Sequence, residues 1–227
     1  MKTTDGSMVL LSDADWSGEG GSAVLISKDF GKTWRDTGAD KELLPLTPGV
    51  KGHTIAGIHA GIVELKNGDW LAYGRGNDID GKMPMSISKD KGETWEYSAS
   101  PFTPLGGAQR LAFTRLQEGP LLLVSFEQKM TDIVSNNKVS KGVGMYAALS
   151  YDEGKTWPVR KLITPGTGSR VLDAPCNLRW GAEFSLLDST HAEIRGYLTI
   201  EQAPDGKIHL ISSGTHYAFN LAWLEKQ

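Results

Sequence analysis

Hydrophobic positions along the chain come in short runs, most of them alternating with polar ones, and turns rich in glycine, aspartate and asparagine separate the runs. A period of two bounded by such turns predicts β-strands. One block reads as four strands, Ile55–Leu65, Trp70–Arg75, Met83–Ser88 and Thr94–Ser98. The next reads as four more, Leu111–Leu116, Leu121–Phe126, Met145–Ser150 and Thr156–Ile163. Partial blocks flank them: Met8–Leu11, Ala23–Ser27 and Thr33–Asp36 before, Tyr197–Gln202, Lys207–Ser212 and Ala218–Leu224 after. No amphipathic helix of useful length competes. Arg170–Arg195 is the one long irregular stretch, expected to hold a short helix or a lid.

Three octamers repeat almost letter for letter: SKDFGKTW at 27–34, SKDKGETW at 88–95 and SYDEGKTW at 150–157, their starts 61 and 62 residues apart. The chemistry is that of a turn. Asp29, Asp90 and Asp152 can accept backbone N–H groups of their own loop, and Gly31, Gly92 and Gly154 can take the positive φ of a tight reversal. Trp34, Trp95 and Trp157 then wedge into an apolar layer. A residue repeated in every unit is structural rather than catalytic. A second turn recurs between the octamers, around Gly68, Gly119 and Gly206. Four-stranded antiparallel units repeated at this period predict an all-β propeller. Two full units and two partial ones are present, about three to four blades. The chain is therefore expected to be one partial propeller domain over 1–227, with its N-terminal blades missing, or one closed by a second copy.

Composition narrows the classes. The 227 residues carry 24 basic and 27 acidic side chains, net charge -3. This argues against a general nucleic-acid binder, which carries a basic excess. One cysteine, Cys176, excludes a disulfide scaffold. No apolar run approaches the roughly 20 residues of a membrane span. The first residues lack the apolar stretch of a signal peptide, so the compartment stays unassigned.

The octamers are Asp-boxes, and with them the chain resembles the sialidase (neuraminidase) superfamily of six-bladed BNR-repeat propellers. The resemblance implies a glycoside hydrolase acting on a terminal sugar, with no cofactor and no metal. It places the ligand face opposite the Asp-boxes, built from Gly74–Lys82, Glu127–Gly144, Ser213–Tyr217 and the loops that join successive blades. Sialidases end with a tyrosine followed seven residues later by Pro-Asp-Gly. Here these are Tyr197 and Pro204–Gly206. The resemblance makes Tyr197 the nucleophile, because the carboxylate of a sialic acid repels a carboxylate nucleophile and not a phenol. The plainer reading of Tyr197 is a core aromatic that begins a strand.

The family also sets a glutamate 16 residues before an arginine across an innermost hairpin. IHAGIVELKNGDWLAYGR aligns with it, placing Arg75 on the arginine and His59 on the glutamate. Histidine can serve as the base for the phenol near neutral pH, or act directly on the substrate. The plainer reading is a buried, hydrogen-bonded histidine. The third arginine of the family's triad falls at Lys141-Gly142, and lysine lacks the bidentate fork. The acid/base aspartate and the first arginine belong to blades absent here. Arg110, Asp78, Asp80, His216 and Glu183 are further candidates for sugar contact. GRGNDIDG is no calcium loop, since the template's first and twelfth positions would be Gly76 and Ile87.

Three readings remain open: a sialidase-like hydrolase with a glycan substrate, a related exo-glycosidase of different sugar specificity using His59, and a non-catalytic glycan- or protein-binding propeller. An incomplete propeller is also expected to self-associate through open strand edges.

Overall fold

The computed structural model describes residues 1–164, 170–171, 186–213 and 215–226. The chain is all-β apart from one five-residue helix. It divides into two compact units, Met1–Leu105 and Gly106–Gln227. Each unit holds two propeller-type blades.

In the first unit, β1 (Met8–Asp13), β2 (Ser22–Ser27) and β3 (Arg35–Asp36) form a three-stranded antiparallel blade. The second blade runs β5 (Ile58–Glu64), β6 (Trp70–Arg75), β7 (Pro84–Ser88) and β8 (Trp95–Ala99), with the short β4 (Lys51–Gly52) outside β8. Val9, Val24, Ile26, Ile55, Ile62, Trp70, Trp95 and Tyr97 fill one core between the two blades. The alternate positions Met8 and Leu10 face out and are exposed. At Gly52 no side chain fits, because a Cβ would lie 2.1 Å from the Tyr97 hydroxyl. That buried hydroxyl donates to the Thr54 carbonyl at 2.8 Å, and burial pushes its pKa up to about 12.

In the second unit, β9 (Gln109–Arg110) leads into a blade of β10 (Ala112–Arg115), β11 (Leu121–Ser135), β12 (Lys138–Ser150) and β13 (Val159–Leu162). The two-residue strands β14 (Arg170–Val171) and β15 (Leu186–Leu187) pair with each other. β16 (Gly196–Gln202), β17 (Ile208–Ser212) and β18 (Thr215–Phe219) form the last blade, and β9 pairs with β16 in parallel. Leu198 and Leu210 are buried, whereas Tyr197, Thr199, Glu201 and Ile211 are exposed.

All three Asp-boxes have one geometry. In the first, the Ser27 hydroxyl donates to Asp29 at 2.8 Å and accepts the Gly31 N–H at 2.8 Å. Asp29 also accepts the N–H of Thr33 at 2.9 Å and its hydroxyl at 2.6 Å. The Ser88–Asp90–Thr94 and Ser150–Asp152–Thr156 sets repeat this pattern. These bonds satisfy the backbone of a reversal that has no ladder partner.

Two expected segments differ. Glu127–Gly144 is not a loop but the outer half of the β11–β12 hairpin, offset by an irregularity between Glu127 and Thr131. The arm bends back onto its own blade. Asn136 donates its N–H to the Pro158 carbonyl at 2.8 Å, Ile133 is buried, and a Cβ at Gly142 would meet Leu162 at 2.2 Å. Its mostly polar composition hid it, since Ile133 is the apolar side chain that the arm buries. The expected strand Ala218–Leu224 ends at Phe219 instead. There Asn220 caps helix α1 (Leu221–Glu225), its side-chain oxygen accepting the Trp223 N–H at 2.9 Å. Glu183 and Cys176 lie outside the described residues, as does most of the stretch expected to form a helix or lid.

Candidate active site

The candidate residues fall into two sets, one in each unit. In the first unit, His59 stands near the start of the innermost strand β5, and Arg75 ends β6. Ile58 pairs with Arg75 and Gly61 with Tyr73, so His59 and Ala60 bulge out of the ladder. His59 takes a left-handed φ of 52°, a region where non-glycine residues are uncommon and histidine is enriched. Two buried serines hold this conformation. Ser22 donates to the Gly57 carbonyl at 2.9 Å and accepts the Ala60 N–H at 3.2 Å, and Ser86 accepts the Ala56 N–H at 2.9 Å. Gly57 and Gly74 let the two strands approach closely. A Cβ on Gly57 would sit 2.7 Å from the Arg75 nitrogen, and one on Gly74 2.3 Å from the Ala56 carbonyl oxygen.

Asp13, at the end of β1, faces His59. One carboxylate oxygen lies 3.5 Å from His59 Nε2, and the other accepts the His59 backbone N–H at 3.4 Å. The loop that follows is braced. Asp15 accepts from the Gly18 and Gly20 N–H groups at 2.6 and 2.9 Å and from the Ser17 hydroxyl at 2.8 Å. Asn77 reaches it from Gly74–Lys82, donating to the Glu19 carbonyl at 3.2 Å. Trp16 stands in this braced loop 99% exposed. Asp78 is at the surface of the neighbouring loop, where partial loss of hydration raises its carboxyl above the usual carboxylate range. Asp80 occupies the Ile79–Lys82 turn with a left-handed φ of 51°.

In the second unit, Tyr197 and Arg110 are register partners on the parallel strands β16 and β9. Tyr197 is 48% exposed. Its own N–H is held by the Ser213 hydroxyl at 3.1 Å, and Gly196 before it donates to the Ala108 carbonyl at 2.9 Å. A Cβ on Gly196 would lie 2.1 Å from the Ser212 hydroxyl, so glycine is needed there. Gln109 anchors the other strand, donating to the Ile194 carbonyl and accepting the Gly106 N–H, both at 2.6 Å. Arg110 is exposed. Lys141 sits on the folded-back arm, its ammonium 2.5 Å from Asp132, both exposed. His216, on β18, stacks on His209 with a ring nitrogen contact of 3.0 Å. Among the described residues no group of three or more His, Cys, Asp or Glu side chains is placed to hold a metal ion. No helix among them is long and apolar enough to cross a membrane.

Sequence reasoning missed three of these positions. Asp13 meets His59 across 46 residues, a pairing no local pattern carries. Trp16 belongs to no repeat or motif of the sequence. Glu127, which ends the regular part of β11 as Arg75 ends β6, is buried where its loop was expected to be open.

Repeated antiparallel sheets, three of them with an Asp-box between their last two blade strands, define a β-propeller of the sialidase type. A family model described as "BNR repeat-like domain" matches residues 1–213, and the chain belongs to that family. Among solved structures, the chain is similar to a variant of the NanB sialidase from Streptococcus pneumoniae, with TM-score 0.53 and 15% identity over 97% of this chain and 30% of that one. A leech intramolecular trans-sialidase gives 0.49 and 15%, over 99% of this chain and 31% of that one. The intramolecular trans-sialidase of Ruminococcus gnavus gives 0.46 and 17%, over 98% and 42%. The chain thus spans less than half the length of these three proteins. No curated protein matches its sequence.

Proposed function

We propose that this chain carries part of the active site of a glycoside hydrolase that releases a terminal sugar from a glycan, a sialic acid or another acidic sugar being the substrate class. Tyr197 is the nucleophile in this reading and His59 a general base. Arg75 and Arg110 bind the sugar's acidic group, and Asp78 and Asp80 its hydroxyls. The Tyr197 oxygen gives its proton to a base and bonds to the anomeric carbon as the glycosidic bond breaks, and the leaving oxygen is protonated by the acid/base carboxyl that the family resemblance implies. Water then releases the sugar. Trp16 offers a flat apolar surface on which a sugar ring can stack.

The observation that supports this reading most is the pairing of Tyr197 with Arg110. A half-exposed tyrosine in register with an exposed arginine, at the start of an innermost strand, suits a substrate that brings a negative charge to the nucleophile. The test is hydrolysis of a panel of aryl glycosides, including acidic sugars. In the enzyme that carries this chain, Tyr197→Phe is expected to abolish turnover and keep the melting temperature of the parent. Wild-type turnover in that variant removes Tyr197 from the mechanism.

A related exo-glycosidase of different sugar specificity is the second reading. The engagement of Lys141 with Asp132 favours it, because that lysine stands where the family has its third arginine. The same panel distinguishes the two by which sugar is cleaved. Binding of glycans with no turnover on any member would support a non-catalytic propeller instead.

A further inference from the structure

We propose that Asp13 is a positioning residue for His59, holding its left-handed backbone with one carboxylate oxygen and stabilising the imidazolium it forms with the other. The inference deepens the reading of His59 as a general base and rests on it for the catalytic consequence only.

The geometry is two-pronged. One oxygen accepts the His59 N–H at 3.4 Å, and the second lies 3.5 Å from Nε2. At that distance the ring contact is Coulombic rather than a tight hydrogen bond. The charge that develops on the protonated ring meets a carboxylate already in place. Both partners are partly accessible, His59 at 24% and Asp13 at 39% of the side chain, as a proton-transfer pair needs to be. The left-handed bulge gives the second reason. A backbone held off its common conformations persists only where the surroundings fix it, and Ser22, Ser86 and Asp13 each bond to the segment Ala56–Ala60. Ser22 and Ser86 are neutral and buried, which leaves Asp13 as the charged member of the brace. The other charged groups on neighbouring elements are Arg75 on β6 and Asp15 and Glu19 on the loop after β1. Arg75 opposes the imidazolium, and the acidic residues favour it.

The experiment follows the His59 imidazole by NMR through a pH titration of the whole chain, in the parent and in Asp13→Asn. Removing a carboxylate beside a cation is expected to lower the His59 midpoint by about one pH unit. Asp13→Glu, which keeps the charge, is expected to recover at least half of that shift, and Ser12→Ala to cause none. Circular dichroism and melting curves confirm that each variant is folded. Unchanged midpoints in folded Asp13→Asn overturn the proposal. In parallel, the pH profile of glycoside hydrolysis should lose its acid limb to lower pH in Asp13→Asn, with kcat at neutral pH reduced and KM retained. Absence of hydrolysis by the enzyme that carries this chain overturns the proposed function, while the titration still decides the role of Asp13.

Discussion

Phe30, Lys91 and Glu153 occupy corresponding places in the three Asp-boxes, and all take a left-handed φ, between 57° and 63°, each followed by a glycine with φ above 80°. Two consecutive residues in that region close the turn, and the aspartate two positions after the serine binds what the turn leaves unpaired. The boxes differ in what surrounds the glycine. A Cβ on Gly92 would lie 2.8 Å from the Trp70 ring, whereas one on Gly31 would make an ordinary 3.6 Å contact. Gly92→Ala is therefore expected to cost about 2–4 kcal/mol, combining left-handed strain with overpacking, and Gly31→Ala about 1–2. Chemical denaturation of the two variants checks the order. The carboxyl of Asp29 is held down at about 2 by the Thr33 hydroxyl and N–H and by Ser27. A depressed carboxyl stabilises the folded state above its unfolded value and loses that contribution as pH falls through its folded one. The box should thus loosen between about pH 4 and pH 2. Asp29→Asn should flatten that part of the acid unfolding curve, followed by the Trp34 fluorescence.

The strands of the two central blades were legible in the sequence, because short apolar runs bounded by turns mark them, alternating in β7 and β8 and buried from Trp70 to Gly74 in β6, and the octamers mark the ends. Trp70–Arg75 is strand over the bounds expected, and Pro84–Ser88 and Trp95–Ala99 begin or end one residue off. The arm of β11 and β12 was not legible. Most of it is solvent-facing and polar, so its alternation has no apolar phase, and the Asn136-Asn137 turn was the only local cue. The places of Tyr197 and Arg75 near strand ends were legible because a motif surrounds each. The support beneath them was not, because it is built from serines and glycines whose partners are far along the chain. Ser22 shows how much such support carries. Its hydroxyl makes both bonds that bracket His59, at Gly57 and Ala60. Ser22→Ala is expected to leave a buried carbonyl and a buried N–H unpaired and to cost about 1–3 kcal/mol. Hydrogen exchange at the Ala60 amide should rise with it.

At the scale of the whole molecule, some apolar side chains on strands stand in solvent. Leu10 on β1 and Ile211 on β17 are 52% and 46% exposed, although each lies on a regular strand. Self-association through these surfaces is our expectation, with sedimentation showing a mass that rises with concentration. Leu10→Lys combined with Ile211→Lys should return the chain to a single species, and equal masses for parent and variant would remove these faces from the contact. The Asp-boxes have the opposite character, being satisfied almost wholly from within. Serine, aspartate, glycine and threonine close their circuit inside eight residues, and little of it depends on which blade carries it. The octamer is therefore an interchangeable cassette. Transplanting 88–95 in place of 27–34 should leave the hydrogen-bonded turn intact, and a lineage could multiply blades by copying such a unit without reinventing its corner.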